Sequence, residues 1–363
     1  MTNNKDKKVL NVPNLRFPEF TNEWGNITIK EACSEFQSGK NIKAEMITGQ
    51  GLYPVYGGNG LRGFTESYNH DGDYILIGRQ GALCGNIRKV TGKTYVTEHA
   101  IAVCASKENE TTFLQYLFQK MKLGQYSDQS AQPGLAVNKL LRLNINVPSK
   151  IEQAKIAKIL SLIDERIITQ NKIIEDLKKL KSAISERFFT SINGDVVTLA
   201  DICDIVKGKQ VNGEFLTDSG NYYVMNGGIE PSGYYDDYNT EANTISISEG
   251  GNSCGYVQFN TTPFWSGGHC YTIQNITNNV EKLYLYHYLK CNEDTIMKLR
   301  IGSGLPNIQK KDLAKFRVIV PIIEQQKTIS AFLSLLERKV QVETDILIAV
   351  QSEKQYLLRQ MFI

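Results

Sequence analysis

The second half of the sequence repeats the first at a distance of 170 residues. Ile27-Thr28-Ile29-Lys30-Glu31-Ala32-Cys33 returns as Val197-Thr198-Leu199-Ala200-Asp201-Ile202-Cys203. Ile75-Leu76-Ile77 through Cys84-Gly85 returns as Ile245-Ser246-Ile247 through Cys254-Gly255, and His99 falls on His269. Later the distance drifts to 173, where Val147-Pro148 meets Val320-Pro321, Leu160-Ser161 meets Leu333-Ser334, and Phe189 meets Phe362. A unit this long exceeds the period of a solenoid, so each copy is a domain with an attached element. The length of 363 residues agrees with two domains.

Each copy changes character at its proline. Before it, short β-branched runs such as Tyr74-Ile75-Leu76-Ile77 and Thr244-Ile245-Ser246-Ile247 alternate with turn clusters such as Tyr56-Gly57-Gly58-Asn59-Gly60. These parts read as mainly β, with one helix inside each, near Thr112 to Met121 and near Glu281 to Cys291. After Pro148 and Pro321 both Pro and Gly vanish, from Ser149 to Asn193 and from Ile322 to Ile363, and long helices are expected. Apolar Ile156, Ile159, Ile163, Ile173, Leu177, Leu180 and Ile184 form the first stripe, interrupted at Arg166 and Gln170. Ile329, Phe332, Leu336, Ile346, Val350 and Leu357 form the second, interrupted at Lys339 and Glu343. Flanking apolar residues widen each stripe, so each helix is expected to pack on its repeat-mate and on another subunit.

Several functions are excluded by what is missing. Hydrophobic residues make up 41% and charged residues 22%, a globular balance, and no window is apolar enough to span a membrane. The first 20 residues lack the pattern of a signal peptide, which places the protein in the cytoplasm as an expectation. Seven cysteines without a C-x-x-C pair argue for free thiols, and Cys33, Cys84, Cys203 and Cys254 are expected in the core. Gly58-Asn59-Gly60-Leu61-Arg62-Gly63 fits a dinucleotide fingerprint, but no apolar helix follows it, so a tight loop between strands is the better reading. No phosphate loop, zinc-protease or nucleophile-elbow motif occurs, and without any Pro-Pro there is no adenine-methyltransferase tetrapeptide. Four histidines are too few for a metal cluster; His99 and His269 are expected as histidines satisfied inside the fold, contact with a nucleic acid being the competing role.

A net charge of +3 does not by itself reveal a nucleic-acid partner. The architecture is more informative, because structural residues repeat while loop residues change. Arg62, Arg79, Gln80, Lys93 and Gln129 have no like residue in the second copy, where Glu230, Glu249, Gly250 and Asn252 occupy the corresponding loops. Two modules that read different base sequences through such side chains would show this pattern. The alternative is a scaffold or carbohydrate-binding protein whose loop aromatics, among them Tyr53, Tyr56, Tyr68, Tyr222 and Tyr235, stack on ligand rings. That reading leaves the two long helices without a purpose.

Val12-Pro13-Asn14-Leu15-Arg16-Phe17-Pro18-Glu19-Phe20 with Trp24, the two module starts and the paired Val-Pro junctions now carry a resemblance over essentially the whole chain. Pro148 leads into Glu152-Gln153 and Leu160-Ser161, Pro321 into Glu324-Gln325-Gln326 and Leu333-Ser334. The sequence resembles the specificity (S) subunit of type I restriction-modification systems; the second copy departs by one residue in the spacing from proline to Glu-Gln. The resemblance implies an α+β fold with two β-rich target recognition domains in tandem, each followed by a long helix, the helices pairing antiparallel with pseudo-two-fold symmetry. It implies an N-terminal extension over 1–20, recognition domains over 21–148 and 191–321, and conserved helical regions over 149–190 and 322–363. It implies a non-catalytic, DNA-binding subunit that reads a bipartite double-stranded target. It further implies two modification subunits that use S-adenosylmethionine and, when joined, two restriction subunits that use ATP and magnesium, with no cofactor in this chain. The candidate DNA contacts are Arg62, Arg79, Gln80, Lys93, His99, Gln129, Asn138 and Lys139 in the first copy. In the second they are Lys207, Lys209, Asn226, Glu249, Asn252, His269, Ser303, Asn307 and Lys310. Ile156, Ile163, Leu177, Ile184, Ile329, Leu336, Val350 and Leu357 are the candidates for helix pairing or partner contact.

Overall fold

The computed structural model describes residues 11–128, 134–302, 304 and 306–363. The first copy begins with β1 (Gly25–Thr28), α1 (Ile29–Ala32) and β2 (Cys33–Ser38), followed by β3 (Tyr53–Gly57), β4 (Gly60–Thr65), β5 (Asp73–Gly78) and β6 (Ile87–Thr91). Then come β7 (Tyr95–Val96), β8 (Ala100–Ala105), α2 (Thr111–Met121), α3 (Val137–Leu141), β9 (Asn144–Val147) and the long α4 (Lys150–Ser191). The second copy has β10 (Asp195–Thr198), α5 (Leu199–Ile202), β11 (Asp204–Lys207), β12 (Tyr222–Met225), β13 (Tyr234–Tyr235), β14 (Thr244–Ser248) and β15 (Val257–Asn260). It continues with β16 (Trp265–Ser266), β17 (Cys270–Gln274), α6 (Lys282–Cys291), α7 (Glu293–Met297), α8 (Lys310–Ala314), β18 (Arg317–Val320) and α9 (Ile323–Gln360).

Strand order repeats as well. Each copy has a four-stranded antiparallel sheet, β2-β8-β5-β6 in one and β11-β17-β14-β15 in the other, and a three-stranded sheet, β4-β3-β7 and β13-β12-β16. A short ladder closes each module, β1 with β9 and β10 with β18. Apolar residues on one face of the larger sheet explain the pairing with a helix: Ile75, Ile77, Ile101 and Val103 pack with Phe113, Leu114 and Leu117 of α2. Ile245, Ile247 and Ile273 pack in the same way with Tyr284, Leu285 and Leu289 of α6. Of the segment expected as a loop, Gly58 and Asn59 form the tight turn from β3 to β4, while Gly60 to Gly63 belong to β4 itself.

The chain divides into two compact units, residues 1–171 with 346–363, and residues 172–345. In the first, Leu358, Met361 and Phe362 complete the core, with the Phe362 ring 5.2 Å from Phe113 and 6.4 Å from Trp24. In the second, Phe189 fills the equivalent place, 5.8 Å from Tyr284 and 5.2 Å from Tyr288. Asp164 of α4 pairs with Lys354 of α9 at 2.6 Å, and Lys181 of α4 with Glu337 of α9, so ion-pair partners descend along one helix as they ascend the other. That is antiparallel pairing.

The seam between the helices shares Ile156, Ile163, Leu177 and Ile184 with the expected stripe but takes Leu160, Ile174 and Lys181 in place of Ile159, Ile173 and Leu180. On α4 the seam runs through Ile156, Leu160, Ile163, Ile167, Gln170, Ile174, Leu177, Lys181, Ile184 and Phe188, all buried or half-buried and an unbroken alternation of four and three. Ile173 and Leu180 are instead exposed. Gln170 does not interrupt the seam but belongs to it, fully buried. On α9 the seam runs through Ile329, Leu333, Leu336, Val340, Glu343, Leu347, Val350, Lys354, Leu357 and Met361, with Phe332 exposed and Glu343 buried at the position equivalent to Gln170.

The start of each long helix is tied to its module by one glutamine. Gln153 Oε1 accepts the Glu110 N–H at the N-cap of α2 at 2.9 Å, while its Nε2 donates to Asn109 Oδ1 and Pro148 O at 2.9 and 3.0 Å. Gln326 Oε1 accepts the Glu281 N–H at the N-cap of α6 at 2.8 Å, and its Nε2 donates to Asn279 O and Pro321 O at 2.9 and 2.8 Å. Counted from the proline, Gln326 and not Gln325 is therefore the partner of Gln153, and at this position the two copies keep the same spacing. Glu152 serves a different purpose, anchoring the N-terminal extension. Arg16 Nε and Nη2 donate to its two oxygens at 2.8 Å, and Trp24 Nε1 donates to Oε1 at 3.3 Å. Gln326→Ala strips three partners from buried groups and is expected to cost on the order of 2–3 kcal/mol in denaturant unfolding. Gln325→Ala, at an exposed neighbour, is expected to stay within about 0.5 kcal/mol of the parent.

Candidate nucleic-acid interface

In each module the loop that leaves β5 or β14 is held in one frame of backbone hydrogen bonds. Arg79 N donates to His99 O at 2.9 Å, Leu135 N to Arg79 O at 2.9 Å, and Gly85 N to Gly78 O at 2.7 Å. In the second copy Glu249 N donates to His269 O at 2.9 Å, Ile308 N to Glu249 O at 2.8 Å, and Gly255 N to Ser248 O at 2.8 Å. A thiol closes both loops: Cys84 Sγ donates to Arg79 O at 3.3 Å and Cys254 Sγ to Glu249 O at 2.9 Å. Burial pushes both thiols above their ordinary pKa, which keeps them protonated as donors. Gly85 and Gly255 turn the chain at φ 84° and 94°, and a Cβ there would collide with Gly124 and Met297.

The first module gathers its candidates around a cleft of about 400 Å³ lined by Gly57, Gly58, Asn59, Arg62, Gln80, Gly81 and His99. His99 Nδ1 lies 2.9 Å from Gln80 Oε1 and its Nε2 lies 3.3 Å from Glu98 Oε1. Arg79 opens the same loop, and its side chain makes no hydrogen bond or ion pair among the described residues. Lys93 does not join this group. It follows β6 at the end of the β5–β6 ladder opposite Arg79, with its ammonium 4.6 Å from the Tyr68 ring centroid. Asn138 and Lys139 are exposed on α3, which begins two residues after Leu135 joins the frame, and Lys139 pairs with Asp128.

In the second module His269, Glu249, Lys207 and Asn226 come together. Lys207 Nζ donates to Glu249 Oε1 at 2.6 Å, His269 Nδ1 lies 3.6 Å from Glu249 Oε2, and His269 N donates to Asn226 Oδ1 at 3.1 Å. Asn307 bridges to Gly250, Asn252 is exposed within the loop, and Lys310 is exposed at the first position of α8. Lys209 is exposed, and its carbonyl accepts from Trp265 Nε1 at 2.7 Å. Gln129 and Ser303 lie outside the described residues.

Two expectations need correction. His99 and His269 are not core histidines: their side chains are 45% and 64% exposed, and the buried histidines are His70 and His287. Burial lowers the His287 pKa to about 4, so that ring stays neutral beside Ser334 Oγ at 3.0 Å. Glu249, expected as a loop side chain offered to DNA, is instead buried, with Lys207 and the Tyr271 hydroxyl donating to it. Burial first, and then this carboxylate, push the Tyr271 phenol well above its ordinary range, so it remains a donor. Cys203 and Cys254 are buried, and Cys33 and Cys84 are half-buried. The loop aromatics expected of a sugar site pack on one another instead, Tyr53 on Tyr68 at 5.0 Å, Tyr222 on Tyr238 at 4.9 Å and Tyr235 on Trp265 at 5.1 Å.

A repeated frame with different side chains at the same stations defines a paired recognition scaffold. The profile described as "Type I restriction modification DNA specificity domain" matches residues 21–179 and again 193–352, and the chain belongs to that family. The type I restriction enzyme EcoprrI specificity subunit of Escherichia coli is 40% identical over 173 residues, which cover 47% of this chain and 42% of that protein. Less than half of that relative's length is thus spanned. A Mycoplasma genitalium protein described as a putative type I specificity subunit is 23% identical over 93% of this chain and 94% of its own. The fold is shared with the crystal structure of a type I restriction-modification S subunit from M. genitalium, with a TM-score of 0.76, 22% identity, and coverage of 97% of this chain and 99% of that one. A chain from work on assembly and conformational transition of the type I system gives a TM-score of 0.56 at 16% identity, covering 93% and 97%. No helix among the described residues is long and apolar enough to cross a membrane.

Proposed function

We propose that this chain is the DNA-recognition subunit of a type I restriction-modification complex. The module of residues 21–148 reads one half of a bipartite duplex target and that of 191–321 reads the other. The observation that carries this reading is the loop frame, identical in its backbone bonds in the two modules and furnished with Arg79, Gln80 and His99 in one and with Lys207 and His269 about Glu249 in the other. Such side chains distinguish base edges and phosphates by their donors and acceptors. Two modification subunits carrying S-adenosylmethionine perform the adenine methylation, and restriction subunits using ATP and magnesium the cleavage. Extrusion of the target base then falls to the modification subunits, while this chain holds the register. The long helices set the distance between the half-sites. The net charge of +3 fits a complex in which the partners add phosphate contacts around the duplex.

The test is reconstitution. The purified chain is expected to transfer no methyl group and cleave no DNA, and addition of the modification subunit is expected to produce methylation at one bipartite motif. Turnover by the chain alone, free of partner, would overturn the assignment.

A further inference from the structure

The recognition face of the second module rests on one buried carboxylate. Glu249 is 8% exposed, and its Oε1 accepts from Lys207 Nζ at 2.6 Å and from the Tyr271 hydroxyl at 3.0 Å. Its Oε2 is buried, 3.6 Å from His269 Nδ1, with no hydrogen bond among the described residues. The side chains of Lys207 and His269 remain 52% and 64% exposed. One internal anion therefore stands behind two outward-facing nitrogen groups, each able to donate to DNA.

A buried carboxylate is tolerated only with its partners in place. The first module shows the set being exchanged as a whole. At the positions equivalent to Glu249, Lys207 and Tyr271 it carries Arg79, Ser38 and Ile101, so the charge, its counter-charge and the phenol donor are all replaced together. The backbone frame is unchanged by the exchange. Arg79 has no side-chain partner among the described residues, and its guanidinium is the group this module offers to a base edge. Glu249 has Oε1 committed inside the module and Oε2 buried next to His269.

Resting on the DNA-recognition reading, we infer that Glu249 is a positioning residue: it holds Lys207 and His269 to the DNA and touches no base itself. The contact made directly by Arg79 in the first module is made in the second by these two neighbours.

The test uses the full chain assembled with modification subunits and duplexes carrying its methylated motif, with single-base changes in one half or the other. Glu249→Gln keeps the shape and an acceptor for Tyr271 but removes the charge behind Lys207 and His269. Lys207→Gln removes one presented cation from a half-exposed side chain while keeping an amide donor for Glu249. Each is expected to reduce discrimination in one half only, by about tenfold, with the other half unchanged. The double variant is expected to lose no more than the worse single one, because the two changes break one unit. Glu249→Asp, which keeps the charge, is expected to recover part of the discrimination. A merely structural role would weaken binding to all duplexes alike, and that outcome would overturn the inference. So would parental discrimination in Glu249→Gln, or losses that multiply in the double variant. A parental complex that discriminates in neither half would overturn the functional reading itself.

Discussion

Exchange of residues 21–147 for the corresponding part of another family member is expected to replace one half of the methylated sequence and leave the other half as it was. The expectation rests on where the loop frame closes. Arg79, Gln80, His99 and Arg62 all lie inside the exchanged stretch, and so does Leu135, whose N–H fixes the Arg79 carbonyl. The second module builds its frame entirely from its own residues, Glu249 with His269 and Ile308. What the exchange leaves behind must still be covered: Phe362 packs on Trp24 and Phe113, and loss of such a buried aromatic contact costs about 3–5 kcal/mol. The incoming segment must therefore bring aromatic residues at those two stations. Within the parent module Arg79→Ala is expected to cost about 1–3 kcal/mol of discrimination in the same half. Sequencing of methylated adenines reads both results, and a change in both halves at once would mean that the modules do not read independently.

Lengthening the paired helices is expected to lengthen the unread spacer without touching either half-site. Helix α4 has 42 residues and spans about 63 Å. The end of the helix, after Phe189, looks from the sequence like the natural place to add residues, where four of them would extend the spacer by one or two base pairs. The packing argues otherwise. Phe189 lies in the core of the second unit against Tyr284 and Tyr288, so residues added after it enter the short link to β10 and leave the helix seam in register. The spacer is expected to stay parental in that variant. The effective places are where the units divide, between Asn171 and Lys172 on α4 and between Asp345 and Ile346 on α9. Seven residues at both places preserve the alternation of four and three, add about 10 Å, and are expected to widen the spacer by about three base pairs. Insertion in one helix alone breaks the seam and is expected to abolish activity. An active double insertion with the parental spacer would assign that distance to the partner subunits.

The repeat, the β-rich modules and the long helices are legible in the sequence because each depends on local pattern: alternation, turn residues, and the absence of Pro and Gly. The seam is legible only at every other step, at Ile156, Ile163, Leu177 and Ile184. A fully buried polar residue reads as an interruption, and the stripe then continues through Ile173 and Leu180, each one residue short of the protected Ile174 and Lys181. Lys181 fits there by placing its ammonium on Glu337, which hydropathy cannot register. Gln326 escapes a match of Glu-Gln as a pair, whereas a count of five from each proline finds it. His99 and His269 read as inward-facing because position in the repeat carries no information about exposure. The burial of Glu249 depends on Lys207 and Tyr271, 42 and 22 residues away, a pairing that only the folded sheet creates.

The division of the chain into units also sets an order of events during synthesis. Residues 172–345 are contiguous, so the second unit has all its parts as soon as they leave the ribosome. The first unit is split, and Leu358, Met361 and Phe362 are made after the whole of the second unit although they seal a core begun at Trp24. Until then the earliest-made module waits with Trp24 and Phe113 uncovered, open to chaperones and proteases while its successor matures. A lesion in the segment 346–363 should therefore injure the module that was translated first.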